Sequence, residues 1–284
     1  MATRSALKPL WSLTEAELLA GSLTSARCDR CGGQGVYSQA LLAYDGSELQ
    51  EAEQVLTCDC RLRPVELWRQ ANLPDGRFSG LSLAELDWAR LEPIEAAAAV
   101  RDFAENMEVW LAEGMGLTLT GNVGTGKTHV AVGLIKLACG LGIAARFLTM
   151  AELLGAIKAT YDRERAGSHR RREGGAPGES DLLDELAGLS LLAVDDLGAE
   201  NPTPWACDRL YSLVNRRYLA QRATIVTTNL SLEELADRLG ERTVSRLWGA
   251  SLVIHLRGAD YRERCKRETL ARIRAQTTNL RLAR

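Results

Sequence analysis

The most specific chemistry in this 284-residue chain is carried by Gly121–Thr128, which reads GNVGTGKT and fits the spacing G-x-x-x-x-G-K-T. Gly121, Gly124 and Gly126 allow backbone N–H groups to turn inward around phosphate oxygens. Lys127 is placed to reach β- and γ-phosphates, and the Thr128 hydroxyl to ligate magnesium. Asn122, Val123, Thr125 and the following His129 complete the candidate nucleotide-binding set. A second site is suggested by Leu189–Asp196, an apolar run closed by two carboxylates. Behind a phosphate loop, that pattern assigns Asp195 to magnesium and Asp196 to the attacking water, as its base or orienting group. A third apolar run, Ala223–Thr228, ends in Asn229, an amide able to position water beside a γ-phosphate. Arg242 and Arg246 lie four residues apart and share one helical face, either a solvated surface or a cationic pair aimed at a neighbouring subunit.

The elements that must position these groups follow from periodicity. Gly116–Thr120 alternates apolar and polar residues as a short strand, and His129–Ala138 has the broad apolar face of a helix. Strand, glycine loop and helix form the context in which a phosphate loop works. Pro93–Glu113 reads as one helix and Arg146–Thr149 as a strand. Met150–Tyr161 reads as an amphipathic helix with Lys158 beside its apolar positions. Residues 162–180 are polar and arginine-bearing, either a linker or a DNA-contacting loop. A helix is expected over Asp208–Leu219, another over 233–239, and a last strand from Leu252. The segment from Tyr261 to Arg284 is rich in Arg and Lys and is either a phosphate-backbone contact or a frayed terminus.

At the other end, Cys28 and Cys31 form Cys-x-x-Cys before glycines, and Cys58 and Cys60 form a tighter Cys-x-Cys. Two such pairs supply four soft ligands for tetrahedral zinc; the alternative is four reduced thiols. Ser12–Glu15 reads as a capped helix start within a lead-in, and Leu73-Pro74-Asp75-Gly76 as a turn at a domain boundary. Cys139, Cys207 and Cys265 fall in helical patterns as core filler. A net charge of −2 and 25% charged residues exclude a uniformly basic coat but not a basic groove. No stretch approaches a membrane span and the first residues lack a signal-peptide core, so a reducing cytoplasm without membrane attachment is expected.

Taken in order, GTGKTHVA, LLAVDDLGAE, NRRY, TIVTTNL, ERTVSRLWG and LRGADYR resemble the AAA+ ATPases of the initiator and helicase-loader branch, specifically DnaC/DnaI-type loaders and IstB transposition helpers. The resemblance covers roughly residues 73–266. It implies an α/β fold, an AAA+ P-loop core whose central parallel sheet is flanked by helices, without a separate lid domain. It implies ATP as the nucleotide, Asn229 as sensor 1, and Arg246 as an arginine finger acting in trans with Arg242 beside it. Subunits would then self-associate through the ATP site. The helix around Leu153–Tyr161 matches the branch-specific insert and implies single-stranded DNA contact by Lys158. CDRCGGQG and CDC resemble the zinc-bearing domain by which DnaI-like loaders dock on the hexameric replicative DNA helicase. The expected division is a zinc-binding, helicase-interacting unit over 1–72, an ATPase domain over 73–266 and a basic tail over 267–284. The expected function is ATP-dependent loading of the helicase onto single-stranded DNA. An IstB-like transposition helper is the alternative, and a zinc-containing nucleoside kinase a more distant one.

Overall fold

A computed structural model describes residues 8–20, 36–44, 49–57, 59–74, 80–166, 178–199 and 202–282. Five strands form one parallel sheet: β3 (Gly116–Gly121), β4 (Ala145–Thr149), β5 (Leu191–Asp195), β6 (Ala223–Thr228) and β7 (Ser251–Leu256), in the spatial order β4-β5-β6-β3-β7. A separate antiparallel pair, β1 (Val36–Tyr44) and β2 (Leu49–Thr57), precedes it. Because every strand of the main sheet runs the same way, all five carboxyl ends reach one edge. In open α/β sheets the ligand crevice lies outside that edge.

The sheet is covered on both faces, which is why its strands read as nearly continuous apolar runs. Within β5 the side chains alternate: Leu191 and Ala193 enter one buried cluster, Leu192 and Val194 the other. The first cluster is built on α5 (Lys127–Gly140), with α3 (Ile94–Glu105) and α4 (Met107–Ala112) beside it. It also includes Leu18 of α1 (Glu15–Leu19) and Ala71, just past α2 (Asp59–Gln70). On the other face lie α6 (Met150–Ala166), α7 (Glu179–Gly188), α8 (Pro204–Leu219), α9 (Leu232–Leu239) and α10 (Glu241–Gly249). A last helix, α11 (Tyr261–Leu282), carries only exposed side chains among those described from Tyr261 to Arg274.

Local chemistry explains the helix starts. Thr14 and Glu17 form a reciprocal capping box at α1. Ser231 and Glu234 repeat it at α9. Three expectations need correction. The stretch Pro93–Glu113 is two helices, because Asn106 leaves helical geometry (φ −109, ψ 23) while its amide donates to Asp102 Oδ1 at 2.9 Å. The helix expected to end at Tyr161 continues to Ala166. The one expected from Asp208 begins at Pro204, where Thr203 accepts from the Ala206 N–H and proline occupies the first turn.

Between α7 and the sheet lies Arg217 of α8, 1% exposed. Its guanidinium donates to the carbonyls of Leu186 (2.7 Å) and Leu189 (2.9 Å) and to Thr224 Oγ1 (3.0 Å). It also donates to Ala223 O. Burial pushes its pKa down, to about 9. The cation thus caps carbonyls at the end of α7 and fastens α8 to the start of β6. Arg217→Met fills the space but orphans these carbonyls, and unfolding free energy in urea is expected to fall by about 3 kcal/mol or more. Arg217→Lys is expected to recover only part of that, since an ammonium cannot reproduce the planar fork.

Candidate nucleotide-binding site

The loop after β3 passes through positive φ at Gly121, Gly124 and Gly126, and at the first two there is no room for a side chain. At Gly121 (φ 134) a Cβ would stand 2.0 Å from Leu256 O, and at Gly124 (φ 80) 1.9 Å from Asp260 Oδ1. The Tyr261 N–H donates to Gly124 O at 3.1 Å, so the start of α11 is fastened to the loop. Thr125 Oγ1 donates to Asn122 O at 2.9 Å and braces the turn, leaving Asn122 and Val123 exposed at its tip. Helix α5 begins without a side-chain cap behind Gly126, so its first N–H groups and the positive end of its dipole suit an anion.

Lys127, the first residue of α5, donates to Gly121 O (2.7 Å) and Asn122 O (2.6 Å). Burial lowers its pKa; the carboxylates of Asp196 and Asp195 act against that, and Arg262 adds to it. Thr128 Oγ1 donates to both oxygens of Asp195 at 3.1 Å, although 67 residues separate them. Asp195 is 4% exposed, and burial raises its pKa against the opposing hydrogen bonds from Thr227 and Thr128. A buried carboxylate beside a threonine hydroxyl is a hard-oxygen donor pair, and it fits magnesium.

Asp196 sits in the left-handed region (φ 54), which aims its exposed side chain away from the strand. Its N–H donates to Thr227 Oγ1 at 3.0 Å, and the same hydroxyl donates to Asp195 Oδ1. Thr228 Oγ1 donates to Leu197 O at 2.8 Å, stitching the turn a second time. Thr227 is thus a site residue that motif reading passed over. The signal lies in TTN itself, whose two threonines also fit an ordinary β-branched strand run. Asn229 is exposed one residue past Thr228, which is in register with Thr120, so it stands where the chain enters the phosphate loop.

The remaining expectations separate. The His129 ring leaves the loop: its Nε2 is 2.8 Å from Ser82 O, and burial lowers its pKa. Arg246 is held by α8 and by Arg242 O, and Arg242 is exposed. Lys158 is exposed on α6, with Leu153 and Ile157 buried. Cys139 is buried, its thiol pushed up to about 12, and Cys207 donates to Arg238 O. Cys28, Cys31 and Cys58 lie outside the described residues, and Cys60 falls at the start of α2. No helix among the described residues is long and apolar enough to cross a membrane.

A five-stranded parallel sheet carrying a phosphate loop, a paired aspartate strand and a threonine-asparagine strand on one edge defines a P-loop protein of the AAA+ class. The chain belongs to the IstB-like ATP binding protein family, whose model matches residues 69–269. The replicative helicase loader DnaC of Escherichia coli (strain K12) is 27% identical over 172 residues, which are 60% of this chain and 64% of that protein. The match thus spans less than two thirds of that relative's length. Among solved structures, the DnaC helicase loader aligns at a TM-score of 0.49 and 27% identity, covering 68% of this chain and 99% of that one. The replication initiator DnaA bound to AMPPCP and single-stranded DNA aligns at 0.53 and 17% identity, covering 70% and 56%, a likeness of fold.

Proposed function

We propose that this chain is an ATPase that loads a replicative DNA helicase onto single-stranded DNA. The observation that carries the reading is the Thr128–Asp195 donor pair beside a buried Lys127 in a family whose curated relative is named a replicative helicase loader. Lys127 and the loop N–H groups would hold the triphosphate of ATP, and Thr128 and Asp195 the Mg2+ that neutralises phosphate charge. Asp196 would take the proton of the attacking water and Asn229 would orient it. Arg246 would act on the ATP site of a neighbouring copy, which makes hydrolysis depend on self-association. Cys28, Cys31, Cys58 and Cys60 would bind Zn2+ in an N-terminal unit that docks on the hexameric helicase. Lys158 on α6 and the basic helix α11 are the surfaces offered to DNA phosphates.

The test is native mass spectrometry of the full chain mixed with the replicative helicase of the same genome, with and without ATP. The expected result is a stoichiometric complex with one zinc per chain, lost in the Cys28→Ser/Cys31→Ser variant. No complex in any nucleotide state, together with capture of a transposase encoded nearby, would move the assignment to an IstB-like helper. That second reading rests on the family match, which is to IstB-like ATP binding proteins.

A further inference from the structure

The NRRY segment, Asn215–Tyr218, closes α8 and takes no part in the nucleotide site. Its four residues face three ways. Arg217 turns into the core, and Arg216 pairs with Asp184 on α7. Asn215 and Tyr218 face α10, joined by Tyr211 one turn earlier. Positions 211, 215 and 218 are spaced by four and three, so they form one stripe along the helix.

That stripe grips Arg246. Arg246 Nε donates to Asn215 Oδ1 at 2.8 Å, and Nη1 donates to Arg242 O at 3.1 Å. The guanidinium carbon lies 5.0 Å from the Tyr211 ring centre and 6.0 Å from that of Tyr218. An arginine has five N–H donors, and these contacts use Nε and Nη1. Tyr218 is 46% exposed and Arg246 half-buried, so the grip lies at the protein surface. Nothing in the grip is a carboxylate, so the positive charge is oriented without being neutralised. A solvated surface arginine needs neither an amide on Nε nor aromatic rings beside its carbon, whereas an arginine that must meet a phosphate in another chain gains from both.

We infer that Asn215, Tyr211 and Tyr218 are positioning residues that hold Arg246 ready for the triphosphate bound in a second copy of this chain. This rests on the reading of Arg246 as a residue acting in trans. The underlying physics is preorganisation: a long side chain fixed before assembly does not lose its rotamer freedom when the interface closes. Helix α8 is held in turn by the buried Arg217, which fastens it to the end of α7 and to β6, the strand preceding Asn229.

The test is steady-state ATP hydrolysis by the full-length protein over a range of protein concentrations at saturating ATP and Mg2+. Arg246→Ala is expected to remove the concentration-dependent activity. Asn215→Ala and Tyr218→Leu are expected to lower kcat about tenfold or more, with ATP affinity of the dilute chain unchanged. Adding Asn215→Ala to Arg246→Ala should then have no further effect. Asn215→Ala chains mixed with Asp196→Asn chains should regain activity, because the second chain brings an intact arginine to the first chain's site; damage within a site would not be cured this way. Wild-type turnover by Asn215→Ala and Tyr218→Leu beside an inactive Arg246→Ala, or no recovery on mixing, overturns the inference and leaves the trans arginine standing. Wild-type turnover by Arg246→Ala removes the trans reading itself.

Discussion

Lys127→Ala is expected to yield a folded protein whose melting temperature responds only weakly to ATP. The lysine is 5% exposed, and burial pushes its pKa down, so the fold carries an ammonium in a place that penalises the charge. Its two bonds to loop carbonyls offset part of that penalty. Removing the amine lifts that penalty, and Asn122 O, on an exposed residue, keeps the Thr125 hydroxyl, so the net change in stability is small. Binding behaves differently, because in the proposed site the ammonium is the side-chain cation that would meet the phosphates. At nucleotide concentrations a hundredfold above Kd, the wild type gains about 2.7 kcal/mol. If the substitution weakens binding about a hundredfold, the same ATP contributes only about 0.4 kcal/mol. For a domain of this size the difference is a shift of several degrees against about one. Calorimetry with and without Mg2+-ATP reads it directly, and an undiminished shift in the variant would falsify the site.

The second large effect is expected at Thr227. Its hydroxyl serves two masters: it donates to the buried Asp195 carboxylate and accepts the N–H of Asp196. Thr227→Val keeps the shape and removes both bonds. A hydrogen bond to a charged group contributes about 1.5–3 kcal/mol, and an unsatisfied N–H adds to the loss. Asp196 is also held at positive φ, a conformation costing about 1–2 kcal/mol that the turn must stabilise. A loss of about 3 kcal/mol in unfolding free energy is therefore expected, with turnover reduced at least about tenfold as Asp196 relaxes out of place.

The pH dependence carries a definite sign. Burial raises the Asp195 pKa above its unfolded value, so the folded state binds the proton more tightly. Stability accordingly falls as pH rises from the unfolded carboxylate range through the folded pKa. Without Thr227 one of the opposing hydrogen bonds is gone and the pKa of the nucleotide-free chain moves further up, so the pH range over which stability falls should extend to higher pH. Urea unfolding of the Thr227→Val variant over a pH series reads this, and a range that stays in place would show that Thr227 does not govern Asp195.

The order of motifs along the chain makes the candidate nucleotide site legible in the sequence, because each motif ends a strand and parallel strands bring their ends together. Glycine, lysine and paired aspartates announce themselves by spacing. Thr227 did not, since a threonine in a β-branched run looks like ordinary strand filler until the strand beside it is known. The start of α8 at Thr203-Pro204 was readable as a cap followed by proline, yet the polar segment before it drew the boundary too late. The break at Asn106 was hidden by alanine-rich flanks that favour helix on both sides. The stripe of Tyr211, Asn215 and Tyr218 had the right spacing but no visible object, because Arg246 lies far along the chain and meets it only through packing of α10 on α8.

Helix α5 starts at the phosphate loop and ends beneath the amino-terminal segments. Lys136, 2% exposed, joins Glu15 of α1 at 2.9 Å and lies 5.0 Å from the ring of Trp68 in α2. The consequence concerns modularity. A truncation beginning at residue 73, drawn to isolate the nucleotide motifs, would strip the roof from the helix whose first residue is Lys127. The bared face includes a lysine deprived of its carboxylate and leucines deprived of Leu18 and Ala71. Such a fragment should precipitate or melt early, and the nucleotide motifs and the segments before them are best inherited, expressed and exchanged as one piece.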